Sequence, residues 1–168
     1  MVSEKTPPVA VVLGSDSDMD VMQGCIDQLG AFGLTPLVRI ISAHRTPRMA
    51  AEFAENAAQN GIKVIIAAAG MAAHLAGALA AKTTLPIIGV PLESGSSLGG
   101  MDALLSTVQM PPGVPVATMA LGKAGARNAA IFAAQILALS DEKLQKKLTE
   151  FKAAQEKKGI EKDSALNP

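Results

Sequence analysis

The residues best suited to chemistry lie in two short segments, each of which follows a run of Val, Ile and Leu. The first is Gly14-Ser-Asp-Ser-Asp18, in which a glycine lets the backbone approach a ligand and two hydroxyls can donate hydrogen bonds. A helix start with free N–H groups follows, and this combination is typical of a phosphate site. The segment matches neither the P-loop nor the dinucleotide-binding glycine pattern. The structural alternative is capping of the next helix by Ser17 or Asp18.

The second segment, Ser42-Ala-His-Arg-Thr-Pro47, supplies the cation that a phosphate needs. Arg45 can bind a phosphate through two parallel N–H bonds and offset the aspartates of the first segment. An arginine at a helix N-terminus opposes the helix dipole, which indicates a local anionic partner. His44 lies beside any ligand that Arg45 holds, and because an imidazole can both donate and accept a proton, it is the candidate acid and base. The alternative is a histidine and an arginine that are merely exposed at a helix start.

A third segment, from Ala67 to Gly77, surrounds His74 with small residues that let a flat ligand lie against the backbone. No charged or hydroxyl residue flanks His74, so a hydrogen-bonded structural role is favoured over catalysis, and the residue is retained as a candidate for binding. The polar segment 93–100 suits either a lid or a plain connection. Cys25 is expected to fill the interior of a helix rather than to act as a nucleophile.

Five apolar runs position these segments along the chain. They are Val9–Leu13, Leu37–Ile41, Val64–Ala67, Ile87–Val90 and Val114–Ala117, with starts 28, 27, 23 and 27 residues apart. Nearly continuous apolar runs predict strands buried on both faces of a parallel sheet. We therefore expect a three-layer α/β sandwich with a central parallel sheet, flavodoxin-like or Rossmann-like. Ligands of such sheets bind at the carboxyl ends of the strands, where the three segments lie.

Helices are predicted between and after the strands. The first three cover 19–32, 47–59 and 73–82, with Thr46 as an N-cap, Pro47 at the first helical position, and Gly33 and Gly61 as stops. An Ala-rich helix follows over 124–139, and another begins at Ser140-Asp-Glu with an apolar face formed by Leu144, Leu148 and Phe151. We expect one domain over 1–168, with its core at about 9–157 and loose tails at 1–8 and 159–168.

The composition excludes several function classes. Fifteen basic and fifteen acidic residues cancel, and only 2% of the chain is aromatic, so a nucleic-acid partner is not expected. The chain has no uninterrupted run of about 18 apolar residues, so no membrane span is predicted, and no secretory signal is visible. A single cysteine indicates a reducing cytoplasm. The chain has two histidines and one cysteine, and their spacing does not match that of metal ligands, so no metal site is predicted.

Small apolar residues are more abundant than one small domain can readily bury. Hydrophobic residues make up 49% of the chain although charged residues make up only 18%. We therefore expect a homo-oligomer, in which Ala-faced helices such as 124–139 approach one another closely between subunits.

The ordered set of motifs resembles one family of purine-biosynthesis enzymes, the N5-carboxyaminoimidazole ribonucleotide mutases (class I PurE). The motifs are Gly14-Ser-Asp-Ser-Asp18, Ser42-Ala-His-Arg-Thr-Pro47, Gly70-x-Ala-Ala-His74, Gly89-Val-Pro91 and Val108-Gln-Met-Pro111, within about 9–139. The resemblance implies a three-layer α/β fold and a homo-octamer. It also implies transfer of a carboxyl group from the exocyclic N5 to ring C4 of aminoimidazole ribonucleotide, without metal, biotin or ATP.

The resemblance also assigns roles to residues of this chain. His44 matches the catalytic histidine, Arg45 the phosphate-binding arginine, and Ser15 and Asp18 residues that hold the phosphoribosyl part. Further candidate positions of the pocket are Ser17, Ser42, Gly70 and His74.

Two sequence features distinguish this chain within that family. His44-Arg-Thr46 stands where direct aminoimidazole ribonucleotide carboxylases usually carry His-Lys-Thr, which favours the mutase. Ala68, Met71 and Ala76 replace two glycines and a proline of the family pattern, and Met71 is expected to narrow the pocket beside the imidazole.

The implied reaction needs both an acid and a base. A carbamate on N5 loses CO2 once its nitrogen is protonated, and carboxylation of C4 leaves a ring proton to be removed, so one histidine can do both in turn. A dry wall of Ala69, Ala72 and Ala73 would retain the CO2. Two alternatives stay open: direct carboxylation by dissolved CO2, and a non-catalytic nucleotide-binding module that needs the phosphate segment but not His44.

Overall fold

The computed structural model describes residues 7–93, 95 and 98–167. The strands are β1 (Val9–Leu13), β2 (Leu37–Ile40), β3 (Val64–Gly70), β4 (Ile87–Leu92) and β5 (Ala117–Thr118). The helices are α1 (Met19–Ala31), α2 (Pro47–Asn56), α3 (Leu75–Ala80), α4 (Met101–Val108), α5 (Gly122–Ala138) and α6 (Glu142–Leu166), and a 3-10 turn over Asp16–Asp18 precedes α1.

The five strands form one parallel sheet in the order β2-β1-β3-β4-β5. Every residue of β1 and β4 is buried, as continuous apolar runs predict for strands covered on both faces. One face packs against α1, α5 and α6, and the other packs against α2, α3 and α4. The expected three-layer α/β sandwich, flavodoxin-like in its strand order, is confirmed.

Several element boundaries differ from the sequence prediction. The fifth strand is Ala117–Thr118 rather than Val114–Ala117, because Pro115 has no N–H to contribute to a ladder. Helix α2 ends at Asn56 rather than at 59, and α3 covers 75–80 rather than 73–82. Helix α4 is not predicted at all, since its N-cap is Gly100 in a left-handed conformation instead of a Ser, Thr, Asp or Asn side chain.

One of the two predicted tails needs correction. Helix α6 continues to Leu166, so nearly all of 159–168 is an exposed helix rather than a loose tail. At the other end, the carbonyl of Pro8 accepts hydrogen bonds from the N–H groups of Lys63 and Val64, whereas residues 1–6 lie outside the described part of the chain. None of the helices in the described ranges combines the length and apolarity needed to cross a membrane.

The Ala-rich face of α5 lies inside this chain and not at its surface. Its alanines at 126, 129, 130, 133 and 134 are fully buried, and α5 packs against α1, β3 and β4. Small side chains allow this close approach between neighbouring layers. The expectation that the Ala face of 124–139 meets another subunit is therefore wrong.

A pair of helical glycines tests this packing. A Cβ at Gly125 would overlap the carbonyl oxygen of Ala120, which is backbone and cannot rotate away. We expect Gly125→Ala to lower the free energy of unfolding by about 1–3 kcal/mol, the usual cost of overpacking. Gly159 has open space around it, so Gly159→Ala in exposed helix α6 should raise the free energy of unfolding by about 0.5–1 kcal/mol. Urea denaturation followed by circular dichroism checks both, and equal stability of the two variants would contradict the packing described.

Candidate functional site

A cavity of about 570 Å³ lies at the carboxyl edge of the sheet, where the segments after β1, β2 and β3 meet. All eight residues singled out from the sequence line it, namely Ser15, Ser17, Asp18, Ser42, His44, Arg45, Gly70 and His74. Met71 also lines it, as do Ala69 and Ala72. Ala73, which was expected in the same wall, is buried and is not part of the lining.

The segment after β1 is closed by a reciprocal pair of hydrogen bonds. The Ser17 N–H donates to Ser15 Oγ at 3.4 Å, and the Ser15 N–H donates to Asp18 Oδ2 at 3.0 Å. Ser15 is therefore the residue that caps the turn, and the Asp18 carboxyl completes the capping box. The Ser17 hydroxyl donates to Ser15 Oγ at 3.0 Å, which holds both hydroxyls at the cavity.

Two neighbouring aspartates of this segment differ in their proton affinity. Asp18 is only 6% exposed, and its burial raises the pKa of its carboxyl above the ordinary 3.8, although the Ser15 N–H partly opposes this shift. Asp16 is exposed, and hydrogen bonds from the Ser15 hydroxyl and the Ser17 N–H lower its pKa. The two carboxyl groups of the segment therefore differ in the direction of their pKa shifts, because Asp18 is buried and Asp16 is exposed.

Arg45 joins the segment after β2 to the segment after β1. Its Nη2 donates to the Gly14 carbonyl at 3.2 Å, and its Nε donates to Ser42 Oγ at 3.4 Å. No carboxylate of the described residues lies within ion-pair distance of this guanidinium. The charge of Arg45 acts to lower the pKa of Asp16 and of Asp18, but Arg45 forms no ion pair with either, so its guanidinium can hold an anionic ligand.

Thr46 has a different role from the predicted one. Its side chain does not cap α2, although Pro47 does occupy the first turn. Instead the Thr46 hydroxyl donates to the Ser42 carbonyl at 2.9 Å and accepts from the Ser42 N–H at 3.1 Å. These bonds close 42–46 into a compact loop, which fixes the direction in which His44 and Arg45 leave the backbone.

The two histidines of the chain form a direct pair. His44 Nε2 lies 2.8 Å from His74 Nδ1, and the rings meet edge to face with centroids 4.9 Å apart. One nitrogen must donate and the other accept, so both rings cannot be imidazolium in this arrangement. The sequence separates these residues by 30 positions and gave His74 no partner, so this contact could be found only from the strand order.

Met71 stands out in the backbone of the segment after β3. Its φ is +54°, and it is the one non-glycine residue of the described chain with a positive φ. Glycine, which the family pattern has at this position, adopts this conformation without steric cost. The Met71 side chain is 58% exposed at the cavity.

No three His, Cys, Asp or Glu side chains of the described ranges are grouped so that they could hold a metal ion. The arrangement instead offers one guanidinium, three serine hydroxyls and one proton shared by two histidines. An anionic group bound at Arg45 would therefore lie in the same cavity as an acid–base pair.

Known proteins resemble this chain over most of its length. The family model described as AIR carboxylase matches residues 8–158. The N5-carboxyaminoimidazole ribonucleotide mutase of Bacillus subtilis is 56% identical over 144 residues, which cover 86% of this chain and 88% of that protein. The protein of the same name from Escherichia coli K12 is 50% identical over 156 residues, 92% of each chain. The crystal structure of Treponema denticola PurE superposes with a TM-score of 0.85 at 29% identity, covering 95% of this chain and 98% of that one.

The raised pKa of Asp18 predicts a pH-dependent stability. Ionising this buried carboxyl opposes folding, so its unfavourable contribution is absent below pH 3.8 and grows as the pH rises through the raised pKa. Asn removes the charge and keeps an oxygen that can accept from the Ser15 N–H. We expect Asp18→Asn to be more stable than the original protein at pH 7, with a difference that shrinks at pH 3.5. Urea denaturation at the two pH values measures it.

Asp16→Asn is the matched control and should have the opposite sign. The pKa of Asp16 is lowered, so its charge favours folding above pH 3.8 and the variant should be slightly less stable at pH 7. A pH-independent effect of Asp18→Asn would contradict the assigned role of burial.

Proposed function

The chain belongs to the AIR carboxylase family, and from this we propose that it moves the carboxyl group of N5-carboxyaminoimidazole ribonucleotide from the exocyclic N5 to ring C4. The product is 4-carboxy-5-aminoimidazole ribonucleotide, an intermediate of purine biosynthesis. The observation that carries the proposal is the meeting of Arg45 with the His44–His74 pair in one cavity, in a chain about half identical to relatives that bear the mutase name.

The phosphate of the substrate is assigned to Arg45. This residue is the only Lys or Arg among the described residues that line the cavity, and no described carboxylate pairs with it. The hydroxyls of Ser15, Ser17 and Ser42 lie at the same cavity and can rotate to donate to a bound phosphate. Asp18, whose second oxygen is not needed by the capping bond, is assigned to a ribose hydroxyl rather than to the phosphate it would repel.

The proton transfers are assigned to His44. Protonated His44 donates to N5, the bond from N5 to the carboxyl carbon breaks, and CO2 is released beside aminoimidazole ribonucleotide. Ring C4 then forms a bond to CO2, and His44 takes up the proton that C4 loses. The acid of the first step is regenerated by the second, so the reaction needs one proton that leaves and returns.

The pairing with His74 suits this requirement. Because the facing nitrogens lie 2.8 Å apart, the two rings together accept one additional proton and not two. A pair that holds a single transferable proton matches a reaction in which one proton is delivered and recovered. His74 is thereby assigned to orienting the His44 ring and fixing its tautomer, in addition to lining the substrate cavity.

Direct carboxylation of aminoimidazole ribonucleotide by dissolved CO2 is the alternative within the family. Arg45, at a position where direct carboxylases usually carry lysine, and the mutase name of the relatives favour the carbamate as carboxyl source. A non-catalytic nucleotide-binding module would need Arg45 and the serines but would have no use for a histidine pair.

A self-associating surface is assigned to α4. Met101, Leu105 and Val108 recur at i, i+4 and i+7 on this helix, and each is about half exposed. Three apolar side chains on successive turns of one helix favour a protein contact over solvent. A second copy of this chain is the occupant we assign, and the resemblance extends this to an octamer.

A cytoplasmic location agrees with Cys25, a buried free thiol whose burial raises its pKa to about 12.

Substitutions at His44 and at the adjacent Arg45 should distinguish the residue needed for carboxyl transfer from the residue needed for nucleotide binding. We expect His44→Asn to abolish carboxyl transfer while aminoimidazole ribonucleotide still binds, since the phosphate contacts remain. Arg45→Ala should weaken nucleotide binding by about 1.5–3 kcal/mol, the worth of a charge-assisted hydrogen bond. Calorimetric titration and turnover of the carbamate measure these effects. Undiminished turnover of His44→Asn would overturn the assignment.

The carboxyl source is tested with the same protein at low bicarbonate. The carbamate substrate should be converted rapidly, whereas aminoimidazole ribonucleotide with added bicarbonate should react slowly. The reverse order of rates would establish the direct carboxylase instead.

The α4 surface predicts a change in assembly. Leu105→Glu should shift the sedimenting species at micromolar concentration to a smaller mass, because the charge opposes burial between copies. Leu139→Glu is the control, since Leu139 is 90% exposed and lies outside α4. A monomeric parent protein, or a Leu105→Glu variant that assembles like the parent, would contradict the assignment of α4 as a surface for self-association.

A further inference from the structure

Met71 adopts a backbone conformation that side chains rarely occupy. At φ +54° its Cβ crowds the neighbouring carbonyl oxygen, a strain that glycine avoids. Strain of this kind collects at ligand sites, where the surrounding structure maintains it. Met71 directly follows Gly70, the last residue of β3, and it precedes His74 by three residues. The strained position is therefore part of the cavity and not of a remote turn.

The side chain of Met71 differs from the other apolar groups of the cavity. Ala43, Ala69 and Ala72 are too short to reach across it, and Leu75 is 2% exposed and fixed in the core. Met71 is thus the only long apolar side chain of the described lining that is free to move, with 58% of its surface exposed. Methionine is unbranched and flexible, so it can pack against a flat ring in several rotamers.

The cavity has a polar part and a less polar part. Arg45, Ser15 and Ser17 carry polar groups that suit an anion, whereas Met71 and Ala72, in the segment after β3, are apolar. A mobile apolar side chain in the same cavity as the acid–base pair can exclude water when it packs against a bound ligand, and it offers no competing donor or acceptor. Such exclusion matters in a reaction that releases uncharged CO2 and must use it before it escapes.

We propose that Met71 is an apolar cover over the reacting end of the cavity, which packs against the imidazole of the substrate and retains CO2 between its release from N5 and its capture at C4. This rests on the proposed mutase function and adds a retaining residue to it. Met71 does not transfer a proton, and it forms no bond to the substrate. Its effect is on the fraction of CO2 that exchanges with the solvent before the C4 bond forms.

Label retention measures this fraction directly. The protein is given carbamate substrate labelled with ¹³C in its carboxyl group, in the presence of excess unlabelled bicarbonate, and the label in the product is determined by mass spectrometry. The parent protein should retain most of the label. Met71→Ala keeps the Cβ and the backbone strain but removes the cover, so we expect label loss to rise by about tenfold, the lower end of the effect of a lost apolar contact in a pocket.

Two further variants distinguish the loss of the apolar side chain of Met71 from the relief of its backbone strain. Met71→Leu restores an apolar side chain of similar volume and should retain label nearly as well as the parent protein. Met71→Gly relieves the strain and has no cover, so it should lose label like Met71→Ala while being more resistant to thermal unfolding than that variant. Thermal unfolding of all variants also verifies that they fold.

The outcomes distinguish this proposal from the mutase function itself. If the parent protein does not convert the carbamate, the mutase function fails. If the parent converts it with label retained and Met71→Ala retains the label equally, Met71 is not a cover. Complete exchange in the parent protein would likewise overturn the cover while leaving carboxyl transfer intact.

Discussion

The position of β1 between β2 and β3 determines where the three segments that line the cavity lie relative to one another. Leu13, the last residue of β1, pairs with Ile40 on one side and with Ala68 on the other. The Gly14 N–H donates to the Ala68 carbonyl at 2.9 Å, and the Ile41 N–H donates to the Leu13 carbonyl at 2.8 Å. Because these bonds align the exits of the three strands, the three segments begin side by side. A slip of one residue in either pairing would turn every side chain of the slipped strand to the other face of the sheet.

The cavity formed by these segments contains few charged side chains. Arg45 bonds to a backbone carbonyl and a hydroxyl, so its positive charge is not neutralised by a described carboxylate. Asp18 is buried, and one of its carboxyl oxygens accepts a hydrogen bond from the Ser15 N–H. The histidine pair accepts one proton at most. Anion binding and proton transfer can therefore take place in one cavity with little interference.

The small apolar residues that dominate the composition serve mainly inside the chain. The alanines of α5 let this helix lie close to α1 and the sheet, and those near β3 leave room for a flat ring in the cavity. Surface apolar groups are concentrated instead on α4, at Met101, Leu105 and Val108. The abundance of alanine is thus explained by packing between layers rather than by contact between Ala-faced helices of different subunits.

The sequence by itself determined the fold class and the membership of the site. Continuous Val and Ile runs predicted buried parallel strands, and the rule that ligands bind at carboxyl ends selected the three segments that line the cavity. The resemblance to the mutase family then indicated individual residues within them. The sequence did not predict α4, whose cap is a backbone conformation at Gly100, nor the full length of α6, whose last turns have no tertiary contact to signal them. Only the tertiary structure decided that His44 meets His74 and that Arg45 bonds to Gly14, since these contacts span 30 and 31 residues and depend on the strand order. Local patterns encode which side chains reach the edge of the sheet, whereas their pairing requires the register between strands.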